Sequence, residues 1–140
     1  MSQENVELVQ RLIQVYNDRS FEENSDLIDP EVIWDLSRVQ LPDGTSLHGP
    51  SEFRDFMETW EEGFDTERME AEEILDAGDR VVVFIRHRGH GRLSGIDVEQ
   101  RIAMVWTFRN GRVVRMDMYP TRRQALEAVG LSEQDAHADS

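Results

Sequence analysis

The chain has 140 residues, enough for one domain with a sizeable core and too few for two. It carries 29 acidic residues against 15 basic ones, a net charge of −14, which disfavours nucleic acid and anionic membranes as partners. Every basic residue is arginine and cysteine is absent, which excludes a Schiff-base or P-loop lysine, a thiol nucleophile, a disulfide and a thiolate metal site.

Met1 to Glu7 is polar and acidic, without the basic start and apolar stretch of a targeting segment. The longest apolar run, Val81 to Ile85, is far short of the ~20 residues that span a bilayer. These features lead one to expect a soluble, cytoplasmic protein. Val6, Val9, Leu12, Ile13 and Tyr16 recur at helical spacing and predict a helix over 3–17. Ser20 and Glu23 form a capping-box pattern for a short helix over 21–28, ended by Asp29-Pro30. A short strand follows over 32–36, then a polar loop over 40–47. Gly49-Pro50 opens another helix, whose broad aromatic face carries Phe53, Phe56, Met57, Trp60 and Phe64.

From residue 66 the hydrophobic period changes to two. Residues 67–77, 80–88, 98–109 and 112–119 read as four long strands. Gly78-Asp79 and Asn110-Gly111 are tight hairpin turns, and Gly89 to Gly95 is a looser connection. A last helix opens on the box Thr121 to Gln124 and ends at Gly130, where Leu131 meets Leu126. Residues 1–131 form the expected single domain and 132–140 a flexible polar tail. Helices first and antiparallel strands after make an α+β fold.

This order of elements resembles the NTF2-like superfamily, and within it the SnoaL-like domains of bacteria. The carriers in the first half are Asn5-Val6-Glu7-Leu8-Val9, Asp29-Pro30-Glu31-Val32, Val-Ile-Trp at 32–34 and His48-Gly49-Pro50. In the second half they are Gly78 to Val83, Trp106 to Arg115 and Gln124 to Ala128. The resemblance implies a cone: a curved antiparallel sheet wraps the N-terminal helices and leaves an internal pocket. It is nearly silent on function, because the superfamily holds isomerases, polyketide cyclases, dehydratases, epoxide hydrolases and non-catalytic binders.

Strand alternation selects the pocket wall. The bulky sets Val82, Phe84, Arg86, Arg88 and Val98, Gln100, Ile102, Met104, Trp106, Phe108 are assigned to the interior. The smaller set Val81, Val83, Ile85, Ala103 and Val105 is assigned to an outer face that a homodimer would cover, sheet against sheet. Across the Gly78-Asp79 turn, Met69, Ala71, Glu73 and Leu75 share the side of Phe84 and Arg86. On the last strand two registers are open. A two-residue turn puts Arg115, Asp117 and Tyr119 beside Trp106; a three-residue turn, which is favoured, puts Val114, Met116 and Met118 there. With Tyr16, Trp34, Phe56 and Trp60 from the first half, these residues define an aromatic-lined pocket for a small, largely hydrophobic molecule.

The acids of known relatives do not carry over. The ketosteroid-isomerase-like pattern falls on Leu12, Leu36 and Met104, and the limonene-epoxide-hydrolase-like one on Phe84, Arg86 and Met118. Arg86 and Arg88 read either as a clamp for an anion or carbonyl, with Glu73 as partner or base, or as mouth residues paired with glutamates. Gln100 is a candidate to orient a polar ligand group. Asp35 is expected to be structural, and Asp117 is a base only in the disfavoured register. Glu67, Glu70 and Glu72 are expected on a solvated strand face. His87 and His90 with Asp97 are weighed as a metal set and set aside, and no metal or cofactor is expected. Two classes stay open: a binding protein without chemistry, and a cofactor-independent isomerase, cyclase or hydrolase working by general acid–base catalysis.

Overall fold

The structure is a computed structural model that describes residues 2–39 and 46–134. Helix α1 (Ser2–Asp18) is followed by a single 3-10 turn (Ser25–Leu27), strands β1 (Ile28–Asp35) and β2 (Ser46–His48), and helix α2 (Gly49–Glu62). Strands β3 (Phe64–Ala77), β4 (Arg80–Gly91), β5 (Asp97–Arg109) and β6 (Arg112–Tyr119) then lead to helix α3 (Arg122–Ala128). One curved six-stranded sheet runs β2-β1-β6-β5-β4-β3. Among the described residues only the β1–β6 pairing is parallel. Helix α1 packs on β3 and β4, α2 lies across β1 to β3, and α3 covers the other face over β4 to β6. This is the α+β, NTF2-like arrangement.

The turn chemistry behaves as the residues dictate. Asn110 and Gly111 both take positive φ, 54° and 75°, the two-residue turn that matches strand twist. The Thr121 hydroxyl accepts from the Gln124 N–H. The Leu131 N–H donates to the Leu126 carbonyl at 2.8 Å, closing α3. The helix expected over 21–28 is only the 3-10 turn, because the Asn24 side chain donates to the Ser20 carbonyl and hydroxyl and competes with helical bonding. Strand β1 starts earlier than expected and includes Pro30. The ring is tolerated there because β2 pairs only with Ile33 to Asp35 and leaves that stretch an open edge. Leu47 sits opposite Trp34 in the short β2, inside what reads from sequence as loop. The rest of that expected loop and the end of the expected tail lie outside the described residues.

The sheet separates two apolar layers. On the inner face Val81, Val83 and Ile85 of β4 join Met104, Trp106 and Phe108 of β5 beneath Val9, Leu12 and Ile13 of α1. On the outer face Leu75, Val82, Phe84, Ala103 and Val105 lie beneath Ala125 and Leu126 of α3. The interior assignment therefore holds for β5 from Gln100 to Phe108, fails at Val98, which is exposed at the start of the strand, and is reversed for β4. Val81 stands opposite Trp106 and Val83 opposite Met104, so the β-branched set faces in and Phe84 and Arg86 face out. Bulk is a poor guide here, because α3 gives the outer face a core of its own. The apolar patch that motivated a sheet-to-sheet homodimer is likewise divided: Val81, Val83 and Ile85 turn inward, and α3 covers Ala103 and Val105.

Register shifts in β3 and β6 decide the remaining faces. In β3 the pairing steps between Ala71 and Glu73 while β4 advances by one residue, so Glu72 is an extra residue. Leu75 and Glu73 stay with the outer face; beyond the bulge Ala71, Met69 and Glu67 follow the inner one. In β6 the step lies between Val113 and Arg115. The two-residue turn alone would turn Arg115 and Asp117 inward. The bulge at Val114 reverses this, seating Met116 opposite Trp106 and Met118 opposite Met104. Val113, not Val114, is the buried valine.

Two substitutions check this phase. Trp106 is 6% exposed in the inner layer, and Trp106→Ala is expected to cost ~3–5 kcal/mol in urea melts. Arg86 lies on the outer face with its Nε 2.7 Å from the Glu99 carboxylate, and Arg86→Gln is expected to leave the urea midpoint where it is. A large loss for Arg86→Gln with a small one for Trp106→Ala would reverse the assignment of the two faces.

Candidate functional site

Between the inner face and the two long helices lies a cavity of about 540 Å³. Helix α1 contributes Leu12, Ile13 and Tyr16, and α2 contributes Phe53, Phe56 and Trp60. Both helices carry these residues at spacings of three and four, which place them on one side. From the sheet come Trp34 on β1, Met69 on β3, His87 on β4, Gln100, Met104 and Trp106 on β5, and Met116 and Met118 on β6. The aromatic wall falls into two groups, one around Trp34 and one around Trp60. Trp34 stacks on Phe53 with ring centres 4.5 Å apart and meets Trp106 edge-on at 5.8 Å; Phe56 stacks on Trp60 at 6.0 Å. Aromatic contacts of this kind hold each other's orientation and keep the wall in place.

Of the residues singled out from sequence, Tyr16, Trp34, Phe56, Trp60, Gln100, Met104, Trp106, Met116 and Met118 line this cavity. Glu73, Phe84, Arg86 and Arg88 do not, because the β4 phase is reversed. The Glu73 carboxylate takes a bond of 2.8 Å from Arg122, whose guanidinium also lies over the Phe84 ring. Arg86 pairs with Glu99 at 2.7 Å and Arg88 with Glu70 at 2.8 Å, on the exposed side. Arg86 and Glu73 therefore pair with other residues, outside the cavity, and do not form a pocket clamp. His87 and His90 point to opposite faces, and His90 pairs with Asp97 in the open. Asp35 and Asp117 face away from Trp34 and Met116; Arg115 joins them at 3.1 and 3.0 Å and Arg38 reaches Asp117 at 3.3 Å. The Ser37 hydroxyl and N–H donate to Asp35 and, with the two arginines, hold its carboxyl below the usual range. That cluster ties the end of β1 to β6 and is structural.

Behind the cavity wall lies Glu67, expected from sequence on a solvated face; it does not line the cavity but meets three side chains that do, Tyr16, Trp60 and His87. Its side chain is 4% exposed. The Tyr16 hydroxyl donates to Oε1 and the Trp60 indole N–H to Oε2. Arg19 Nη2 stands 3.1 Å from Oε1, and His87 Nε2 is 3.3 Å from Oε2, at ion-pair distance without full hydrogen-bond alignment. Burial works to raise the Glu67 carboxyl, but the contacts with His87, Tyr16 and Arg19 outweigh it, and the group stays below the ordinary carboxylate range. Burial, then the Glu67 charge, push the Tyr16 phenol upward, so it remains a donor.

Arg19 reaches this position through an unusual backbone. It ends α1 at φ 57°, where glycine is the ordinary choice, and Ser20 N–H closes the helix on the Val15 carbonyl at 3.1 Å. A left-handed non-glycine residue costs roughly 1–2 kcal/mol. The side chain offsets this: it bonds the Tyr16 carbonyl at 2.5 Å, pairs with Glu61 at 2.5 Å, and lies over the Tyr16 ring. His87 is 2% exposed, with the Trp60 and Phe64 rings 5.8 and 5.9 Å away. Its Nδ1 has no hydrogen-bond partner among the described residues, nor do the indole nitrogens of Trp34 and Trp106.

The profile of the SnoaL-like domain matches residues 9–116. Among solved structures, the chain is 20% identical to an NTF2-like protein from Burkholderia pseudomallei, covering 91% of this chain and 98% of that one with a TM-score of 0.73. It is 23% identical to TerC, co-crystallised with polyporic acid, over 90% and 98% of the two chains with a TM-score of 0.73. A candidate SnoaL-like polyketide cyclase from Jannaschia sp. CCS1 is also 23% identical, over 84% and 85%, with a TM-score of 0.72. Likeness at these identities speaks for the fold. No curated protein matches the chain. Among the described residues no helix is long and apolar enough to cross a membrane. Element order, sheet pairing and the match across both halves agree, and the chain belongs to the SnoaL-like domain family of NTF2-like proteins.

Proposed function

We propose that the chain binds a small, flat, largely apolar molecule in the cavity between α1, α2 and the inner face of the sheet. The observation that carries this reading is the cavity itself: about 540 Å³, walled mainly by aromatic, aliphatic and methionine side chains with a few polar groups among them. Small-molecule sites fall at roughly 300–1,000 Å³ with that kind of lining. Met104, Met116 and Met118 suit a ligand of irregular outline, because an unbranched thioether adapts its shape. The co-crystal of TerC with polyporic acid supports the same use of this fold. Of the polar lining groups, Tyr16, Trp60 and His87 meet Glu67, Arg38 pairs with Asp35 and Asp117, and Arg101 pairs with Glu72, so the ligand brings few charges of its own.

Calorimetry with naphthol, a flat apolar molecule with one hydroxyl, tests the reading. Binding with a negative heat-capacity change is expected. Met104→Trp places an indole in the cavity and is expected to weaken binding at least about tenfold. No heat of binding, or equal affinity in Met104→Trp, overturns it.

Glu67 gives a second expectation, because it holds the polar end of the wall together. Its carboxyl is depressed in the folded state, so on acidification the unfolded chain takes up the proton first. Its contribution is complete above the ordinary glutamate value of ~4.3 and is lost as pH falls through the lower folded value. The stability difference between wild type and Glu67→Gln, from urea melts, should be widest above pH ~5 and should narrow below pH ~4. A gap that does not change with pH would show that Glu67 carries no charge in the fold.

A further inference from the structure

We propose that Glu67 and His87 form an acid–base pair that moves a proton on an apolar carbonyl compound bound in the cavity, with Gln100 holding the carbonyl oxygen. The proposal rests on the cavity being a binding site and adds what happens to the bound molecule.

Three observations carry it. The first is the imidazole. His87 lines the cavity, is 2% exposed, and has its Nε2 3.3 Å from an ionised Glu67. Neither ring nitrogen makes an aligned hydrogen bond among the described residues, and Nε2 is the one that faces the Glu67 carboxylate, which only accepts; a neutral ring with its hydrogen on Nε2 leaves the lone pair on Nδ1. That nitrogen has no hydrogen-bond partner among the described residues. A buried polar atom without a partner is costly unless something else meets it.

The second observation is that Glu67 is fixed far more firmly than a packing role requires. Tyr16, Trp60 and Arg19 all hold it, and Arg19 does so from a left-handed backbone. Strain of that kind, sustained by surrounding contacts, gathers at working sites. The third is Gln100, which stands directly opposite His87 across the β4–β5 ladder and lines the same cavity at its exposed edge. Neighbours across a ladder have Cβ atoms ~4.5–5.5 Å apart, so one small functional group can meet both side chains.

The step balances without a co-reactant. His87 Nδ1 takes a proton from the carbon beside the carbonyl. The C–H electron pair moves into the carbon–carbon bond, and the carbonyl π pair moves to oxygen, where the Gln100 side-chain N–H donates to the enolate. The imidazolium faces the Glu67 carboxylate and then returns the proton to the same carbon or to a conjugated one. Exchange or isomerisation follows. His87 is the catalytic residue. Glu67 is a positioning residue acting through it, and the charged or titratable groups around the pair are Tyr16 and Arg19 at the end of α1, with Glu61 of α2 beyond Arg19.

Nitrobenzisoxazole, a flat apolar compound, tests the pair on the full chain. A base removes its ring C–H proton, the N–O bond breaks, and a coloured cyanophenolate is released. Quenching of tryptophan fluorescence measures its binding separately, since Trp34, Trp60 and Trp106 all line the cavity. Wild type is expected to bind the probe and accelerate its elimination. His87→Gln should bind it equally and lose about 100-fold or more in rate, within the range of general-base contributions. His87→Phe, which fills the space between Trp60 and Phe64, gives the same comparison if the glutamine variant does not fold. Glu67→Gln should lower kcat about tenfold and leave KM where it is, because the carboxylate acts through His87 and does not touch the probe. A merely structural loss would move both. Quenching without acceleration, or unchanged rates in both His87 variants, overturns the acid–base pair and leaves the binding reading standing. No quenching by the probe overturns the binding reading and the pair with it.

Discussion

Glu67 brings a charge to a place that water hardly reaches, and the polar end of the fold is arranged around that fact. An isolated buried carboxylate would take up a proton or turn outward. Here it stays ionised because the last turn of α1, the end of α2 and the middle of β4 each send it a partner. The same contacts fix where the two helices stand on the sheet at that end. Arg19 shows how strongly the arrangement is held: its backbone takes the conformation of a glycine so that its guanidinium can reach Glu67 and Glu61 together. Removing one partner would leave the others facing an uncompensated charge, so the cluster behaves as a unit.

The elements of the fold were open to reading because their signals are local. The helical spacing of Val9, Leu12, Ile13 and Tyr16, the Pro50 at the start of α2 and the Asn110-Gly111 turn each act within a few residues. The aromatic residues of α2 and the inner face of β5 follow from the same kind of signal. What stayed hidden was which face of β3 and β4 turns inward. Alternation gives two sets of side chains and does not say which side the helices cover. Phe84 and Arg86 looked like pocket residues by size, yet α3 supplies a second apolar layer that takes Phe84 and leaves Arg86 to Glu99.

Glu67 was missed for a different reason. It lies upstream of the step between Ala71 and Glu73, and the extra Glu72 reverses the side chains from Ala71 back to Thr66, where a second step follows. No residue type announces that bulge, since an Ala-Glu-Glu stretch reads as an ordinary exposed strand. A histidine on the inner face of β4 near an acid on β3 is the signal that could have revealed it. In β6 the inward methionines were expected from a longer turn, whereas the turn is short and a bulge at Val114 does the same work. The interior came out alike because burying Met116 and Met118 decides the register, by whatever local device the backbone can supply.

The bulge at Glu72 has a consequence for how such a pocket changes over generations. Loss of that single codon would exchange the inward and outward rows of the first half of β3, withdrawing Met69 from the wall and Glu67 from behind it and presenting their neighbours instead. No cavity residue would need to mutate. Chain length within a strand is thus an inherited variable in its own right, and it can rewrite the chemistry of the wall in one event while the helices, the turns and the far strands keep their sequence.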